Sequence, residues 1–229
     1  MLATYSHRTR ILMFTMLLSI ASGVQAVPTG VEQIGRKLEV GDLVFIRIPH
    51  QPFIEVADTT MSWTNHVGIV VDTSGDEPII AESRVPVSGA TSWPHFVARS
   101  ERGRVAVLRP GVVLNGRQRR ELRRAAVARY GIHYDTGFDL YSRGEFCSRY
   151  VREVLQQATG IKFGRVENFS HLLKKNPHAN LLFWRAWYFG YIPWQRETVT
   201  PASLLDDKKL HRVFDGRVRR INLTKGGRS

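Results

Sequence analysis

Cys147 is the one cysteine among 229 residues. It lies in the stretch 145–151, Glu-Phe-Cys-Ser-Arg-Tyr-Val. Val151, Val154, Leu155 and Ala158 follow at helical spacing and Gly160 ends the run, so the thiol falls in the first turn of a helix. The free amides and dipole at that end favour a thiolate, and an adjacent imidazole would lower its pKa further. His66 opens the apolar run 66–71, His-Val-Gly-Ile-Val-Val, and Glu82 lies in the run 79–83 beyond a turn-rich loop. A turn centred on Ser74 would set His66 directly opposite Glu82, on one face of the sheet. An imidazole facing a carboxylate orients a general base and stabilises its protonated form. Gly68, on the same face as His66, would leave room for an approaching group. A thiolate at a helix start, packed against a sheet that presents a histidine, is the working core of a cysteine hydrolase. The rival reading is structural: a lone Cys fills a core as a small hydrophobe, and a lone His before a strand is commonly a packing residue.

The elements that must position these residues are legible in outline. Residues 37–49 read as a turn at Gly41-Asp42 and then a strand closed by proline, with Asp42 capping the turn. Strands are expected at 66–71, 79–83 and 104–108. The period then changes: Asn115 can cap a helix to about Tyr130, a second helix starts near Cys147, and shorter ones are expected at 168–175 and 179–190. His211 to Phe214 returns to the sheet. Strands first and helices afterwards predict an α+β fold with an antiparallel sheet.

Three segments in this order resemble the core motifs of NlpC/P60-type, papain-like cysteine peptidases: 40–45 (Val-Gly-Asp-Leu-Val-Phe), 65–71 (Asn-His-Val-Gly-Ile-Val-Val) and 146–151 (Phe-Cys-Ser-Arg-Tyr-Val). In the common version the Cys helix comes first. Here it comes last, which resembles the circularly permuted branch that includes lecithin:retinol acyltransferase-like enzymes. The stretches 81–87, 134–138, 183–187, 192–194 and 198–203 are similar to the bacterial YebB-like group. The resemblance implies a permuted papain-like fold over most of the chain. It also implies Cys147 as nucleophile, His66 as general base and Glu82 as the residue orienting His66, with the Cys147 amide in the oxyanion hole. Such an enzyme needs no metal or other cofactor, and the His and Cys residues show no metal-ligand spacing.

Residues 1–26 carry His7, Arg8 and Arg10, a short apolar run and small residues ending at Ala26, the pattern of a cleaved secretory signal peptide. The expected organisation is therefore a signal peptide at 1–26, a catalytic domain at 27–214 and a loose basic tail at 215–229. Export would place the protein in the periplasm or outside the cell, where an unpaired thiol has no disulfide partner within its own chain. Lys plus Arg number 33 against 20 Asp plus Glu, a net charge of +13. With export, that excess points to an anionic membrane or acidic polymer, not to nucleic acid, and no regular aromatic–basic interleaving supports a stacking platform.

Residues 183–194 hold seven aromatics. They read as a hydrophobic lid or as a substrate wall through Trp184, Trp187 and Trp194, with interfacial membrane contact a further reading beside Arg185 and Arg196. The arginines at 117, 119, 120, 123, 124 and 129 read first as a solvated helix face. Asn222 begins a glycosylation sequon in the tail. The first reading is an exported cysteine hydrolase acting on cell-wall peptide; the alternative within enzymes is a lipid-directed amidase or acyltransferase at a membrane surface. The rival from another class is a non-catalytic module that binds an anionic polymer or membrane.

Overall fold

The computed structural model describes residues 30–219. The expected signal peptide and the Asn222 sequon lie outside them. The helices are α1 (Val31–Gly35), α2 (Phe53–Thr59), α3 (Trp93–Ala98), α4 (Gly116–Val127), α5 (Cys147–Thr159), α6 (Phe169–Lys175), α7 (Leu181–Trp187) and α8 (Pro201–Leu205). The strands are β1 (Leu43–Ile46), β2 (His66–Asp72), β3 (Ile79–Glu82), β4 (Gly89–Ser92), β5 (Arg104–Pro110), β6 (Val166–Asn168), β7 (Glu197–Val199) and β8 (Leu210–Arg217).

Six strands form one sheet in the order β4-β3-β2-β1-β5-β8, and β6 pairs with β7 apart from it. All pairings between these strands are antiparallel. Side chains alternate across the central strands and feed two layers. Leu43, Phe45, Val67 and Ile69 pack with Leu122, Val151 and Leu155 of α4 and α5. Val44, Ile46, Val70 and Ile80 pack with Ile34, Trp93 and Phe96 of α1 and α3. A third cluster joins Phe138, Phe146, Phe169, Trp184 and Ile192, so α6 and α7 form a lid on their own apolar centre.

The two helices that frame the nucleophile have local causes. Asn115 and Gln118 form a reciprocal capping box at the start of α4, which satisfies two orphan donors. Gly160 ends α5 at φ 75°, a left-handed conformation that glycine adopts without steric cost.

Three expectations need correction. Ile69 lies opposite Ala81 and Val70 opposite Ile80, with a bulge before Asp72. The hairpin is thus two residues out of the expected register, and His66 and Glu82 are diagonal neighbours. Because the slip is two residues and not one, they keep the same face. The space over Gly68 is not open to a ligand, since a Cβ there would come within 2.5 Å of Ile80 and 2.8 Å of Phe96. Finally, β8 continues through Arg217 and Val218 is buried, so residues 215–218 belong to the sheet and not to a loose tail.

Candidate active site

His66 stands at the first position of β2, fully enclosed. Its ring lies against Phe96 at 5.7 Å between centroids, and Nε2 meets Glu82 Oε2 at 2.6 Å. That contact commits Nε2, and Nδ1 is left without a hydrogen bond of ordinary geometry among the described residues. Cys147 is the first residue of α5 and is buried. As the first helical residue its N–H has no acceptor within the helix.

The electrostatics link the two side chains. Burial opposes ionisation of Cys147, but the His66 charge, a hydrogen bond to His66, the Val67 N–H and the Tyr134 hydroxyl together hold its pKa below the usual thiol value. Burial likewise lowers the pKa of His66, yet the Cys147 charge and then Glu82 outweigh it and push it up to about 9. The arrangement thus favours a thiolate–imidazolium pair.

Glu82 is held from several sides. It accepts from Thr91 Oγ1 at 2.6 Å and from Arg99 Nη2 at 2.7 and 2.8 Å. Burial would raise its pKa, but His66, Arg99 and Thr91 bring it down to about 2. A buried carboxylate with this many donors stays charged and fixed, as an orienting group must. Thr91 and Arg99 were missed by sequence reasoning. They come from β4, a short run of small and polar residues with no strand signature of its own, and from the end of α3.

Tyr134 was also missed, although it stands in a motif singled out for its likeness to relatives. Its hydroxyl is buried, makes no hydrogen bond of ordinary geometry among the described residues, and lies within electrostatic reach of Cys147. Burial, then the neighbouring thiolate, raises its pKa well above that of a free phenol. It is therefore a neutral donor beside the sulfur.

A narrow cavity of about 40 Å³ opens against Cys147. Phe138, Phe146, Phe169, Leu172, Trp184 and Val199 supply much of its wall, and no Lys, Arg, His, Asp or Glu lines it. Of the three expected wall residues, Trp184 lines this cavity and donates its indole N–H to Thr59 at 2.9 Å. Trp187 lies instead on an outer groove beside Tyr188 and Tyr191, and Trp194 packs at the edge of the lid cluster. The arginines of α4 are exposed, as expected of a solvated face, and three of them have partners: Arg119 the Leu114 carbonyl, Arg123 Asp72 and Arg124 Glu121. Arg129, just beyond the helix, pairs with Glu145 and Glu153.

The profile of the permuted papain-like amidases, the YaeF/YiiX or C92 family, matches residues 37–214. The chain belongs to this family. It is accordingly a cysteine hydrolase of the amidase type, and the motif order read from the sequence is that of the permuted frame. Among curated proteins, it is 25% identical over 177 residues to the uncharacterized protein YiiX of Escherichia coli strain K12, covering 76% of this chain and 85% of the relative. Among solved structures, it is similar to one described as the metalloprotein yiiX from Escherichia coli O157:H7. The TM-score is 0.69 at 22% identity, over 78% of this chain and 98% of that one. The latter likeness is one of fold.

Proposed function

We propose that this C92 hydrolase works through Cys147, His66 and Glu82 on a substrate whose acyl group is apolar. The observation that carries the catalytic assignment is the His66–Glu82 contact at 2.6 Å, which fixes the ring with its other nitrogen free for the only cysteine in the chain. The Cys147 sulfur attacks the carbonyl carbon of an amide or ester. The Tyr134 hydroxyl and the Cys147 backbone N–H donate to the oxygen as it gains charge. When the C–N or C–O bond breaks, imidazolium His66 gives its proton to the leaving amine or alcohol and an acyl-thioester remains. Neutral His66 then takes a proton from water, the hydroxide oxygen bonds to the acyl carbon, and the thiolate leaves.

Two substrate classes fit an amide or ester. The wall without ionic side chains favours the lipid-directed reading, because a fatty acyl chain has nothing to lose there while a charged peptide would be stripped of water without a partner. The cell-wall peptide reading rests on the export features of residues 1–26 and on the motif likeness to wall-cleaving NlpC/P60 and YebB-like relatives. The metal binding in the description of the YiiX structure does not transfer to this site. Glu82 is already taken by His66, Thr91 and Arg99, and no group of three His, Cys, Asp or Glu among the described residues could hold a metal ion.

The test is hydrolysis of acyl amides and esters of increasing chain length beside soluble muropeptides. The proposal expects turnover that rises with chain length and disappears in Cys147→Ser. Muropeptide cleavage with no acyl-chain preference would return the peptide reading, and turnover retained by Cys147→Ser would refute the mechanism.

A further inference from the structure

The lid that closes the cavity has an outer surface unlike its inner one. Trp184 faces inward at 2% exposure, whereas Leu182 is 78% and Phe189 100% exposed. Leu182, Ala186 and Phe189 recur at i, i+4 and i+7, the spacing of one helical face, and Ala186 is exposed as well. Beyond α7 the chain turns through Phe189 at φ 52° and Gly190 at φ 101°. Left-handed backbone at a bulky aromatic is costly, yet it ends by presenting a bare ring to solvent. Tyr191, 72% exposed, follows. Singly exposed apolar residues need no explanation, but a spaced set at the tip of one element does.

Along this segment of the chain the charge has a single sign. From Phe169 to Arg196 the chain contains no Asp or Glu, and it carries Lys174, Lys175, Arg185 and Arg196. Lys174, Lys175 and Arg185 are exposed, while Arg196 is tied to the Gly137 carbonyl and to Asp139. α6 and α7 are one unit, since Phe169 of α6 packs edge-on against Trp184 at 6.2 Å. Apolar and aromatic tips on a segment whose own charges are all positive are what an anionic bilayer surface binds: rings enter the headgroup boundary while the cations meet phosphates.

We propose that the outer face of α7 and the 188–191 turn, with Lys174, Lys175 and Arg185 of the same lid, docks the protein on an anionic lipid bilayer. This deepens the lipid-directed reading. It sets the lid, whose inner residues Leu172 and Trp184 line the catalytic cavity, at the surface where acyl substrates reside.

The test is co-sedimentation of the full chain with vesicles of phosphatidylglycerol and phosphatidylcholine, and with vesicles of phosphatidylcholine alone. It is run in the Cys147→Ser background so that turnover plays no part. Binding is expected with the anionic vesicles only. Phe189→Ser should weaken it about tenfold, the loss of one buried aromatic. Lys174→Gln with Lys175→Gln should weaken it by at least about tenfold, at roughly 1 kcal/mol per cation. Val113→Ser, an equally bare apolar position outside the lid, should leave it unchanged. Binding that Phe189→Ser leaves intact, or self-association through the lid with no vesicle binding, would overturn the proposal. Hydrolysis of a soluble short-chain ester by Leu182→Ser/Phe189→Ser with Cys147 intact is the separate readout. If docking is lost while that rate is kept, both ideas stand. If vesicle binding fails in every form yet acyl esters are cleaved, docking is wrong and the enzymatic reading survives.

Discussion

The two halves of the site are built on opposite principles. On the sheet side, buried His66 and Glu82 join half-buried Thr91 and Arg99 in a polar network in which both carboxylate oxygens accept. On the lid side, Phe138, Phe169, Leu172 and Trp184 offer almost no polar atoms, and the segment ends in the bare ring of Phe189. A carboxylate held by several donors in a low dielectric is stiff and keeps charges where proton transfer needs them. An apolar lid discriminates by shape and by exclusion of water, and it can differ between relatives without touching the chemistry. Chemistry and selectivity should therefore respond to different substitutions.

Glu82→Gln strikes the network hardest. It removes the charge that sustains imidazolium His66 and leaves Arg99 facing a neutral amide. Turnover should drop on the order of 10²–10⁴-fold, as for loss of positioned acid–base function. The pH limb set by His66, about 9 in the native protein, should move down. The sign also bears on stability. Glu82 has a depressed pKa near 2, so its share of stability is present above the ordinary carboxylate range and lost as pH falls toward 2. Thermal unfolding between pH 5 and pH 2 should therefore show a smaller acid loss in Glu82→Gln than in the native chain.

Tyr134→Phe sharpens the comparison, because the hydroxyl sits where the halves meet. Loss of one oxyanion donor should lower kcat about 10²–10³-fold with little change in KM. Cys147 should stay reactive toward a small alkylating agent, since His66 still provides the charge. A change confined to KM would move Tyr134 to substrate binding.

Trp184→Ala should have the smallest effect on the chemistry. It opens a cavity in the lid cluster and frees Thr59 from the indole N–H, so it should cost about 3–5 kcal/mol of stability by chemical denaturation. Preference among acyl chain lengths should broaden while turnover of a short ester stays within a few-fold. If that short-ester rate collapsed as in Glu82→Gln, the division between network and lid would not hold.

How far the sequence disclosed each half follows from the same division. Cys147 at a helix start and His66 at a strand start are local facts, set by stripe, stop and alternation. Glu82 kept its face although its register was two residues off, because side-chain orientation repeats every second residue. Thr91 and Arg99 were invisible because the polar strand β4 is held by pairing with β3 and not by its own propensity. The aromatic cluster at 183–194 was recognisable as a lid. Which of its rings turn inward depends on packing against Phe138 and Phe169, far away in the chain, and so Trp187 and Trp194 were placed on a wall that only Trp184 forms. The arginines at 117, 119, 120, 123 and 124 read as a solvated helix face, and all five are exposed. Arg129 beyond the helix was not separable from them, because its partners Glu145 and Glu153 lie far along the chain.

The central claim is that Cys147 and His66 form a thiolate–imidazolium pair held by Glu82. Its most direct test is the rate of Cys147 alkylation in the folded protein as a function of pH, with His66→Ala alongside. The account predicts a thiolate reactive at and below neutral pH, titrating well under the roughly 8.5 of a free cysteine, and a return to ordinary thiol behaviour in His66→Ala. A native thiol that titrates at or above 8.5, with the same profile in His66→Ala, would contradict it.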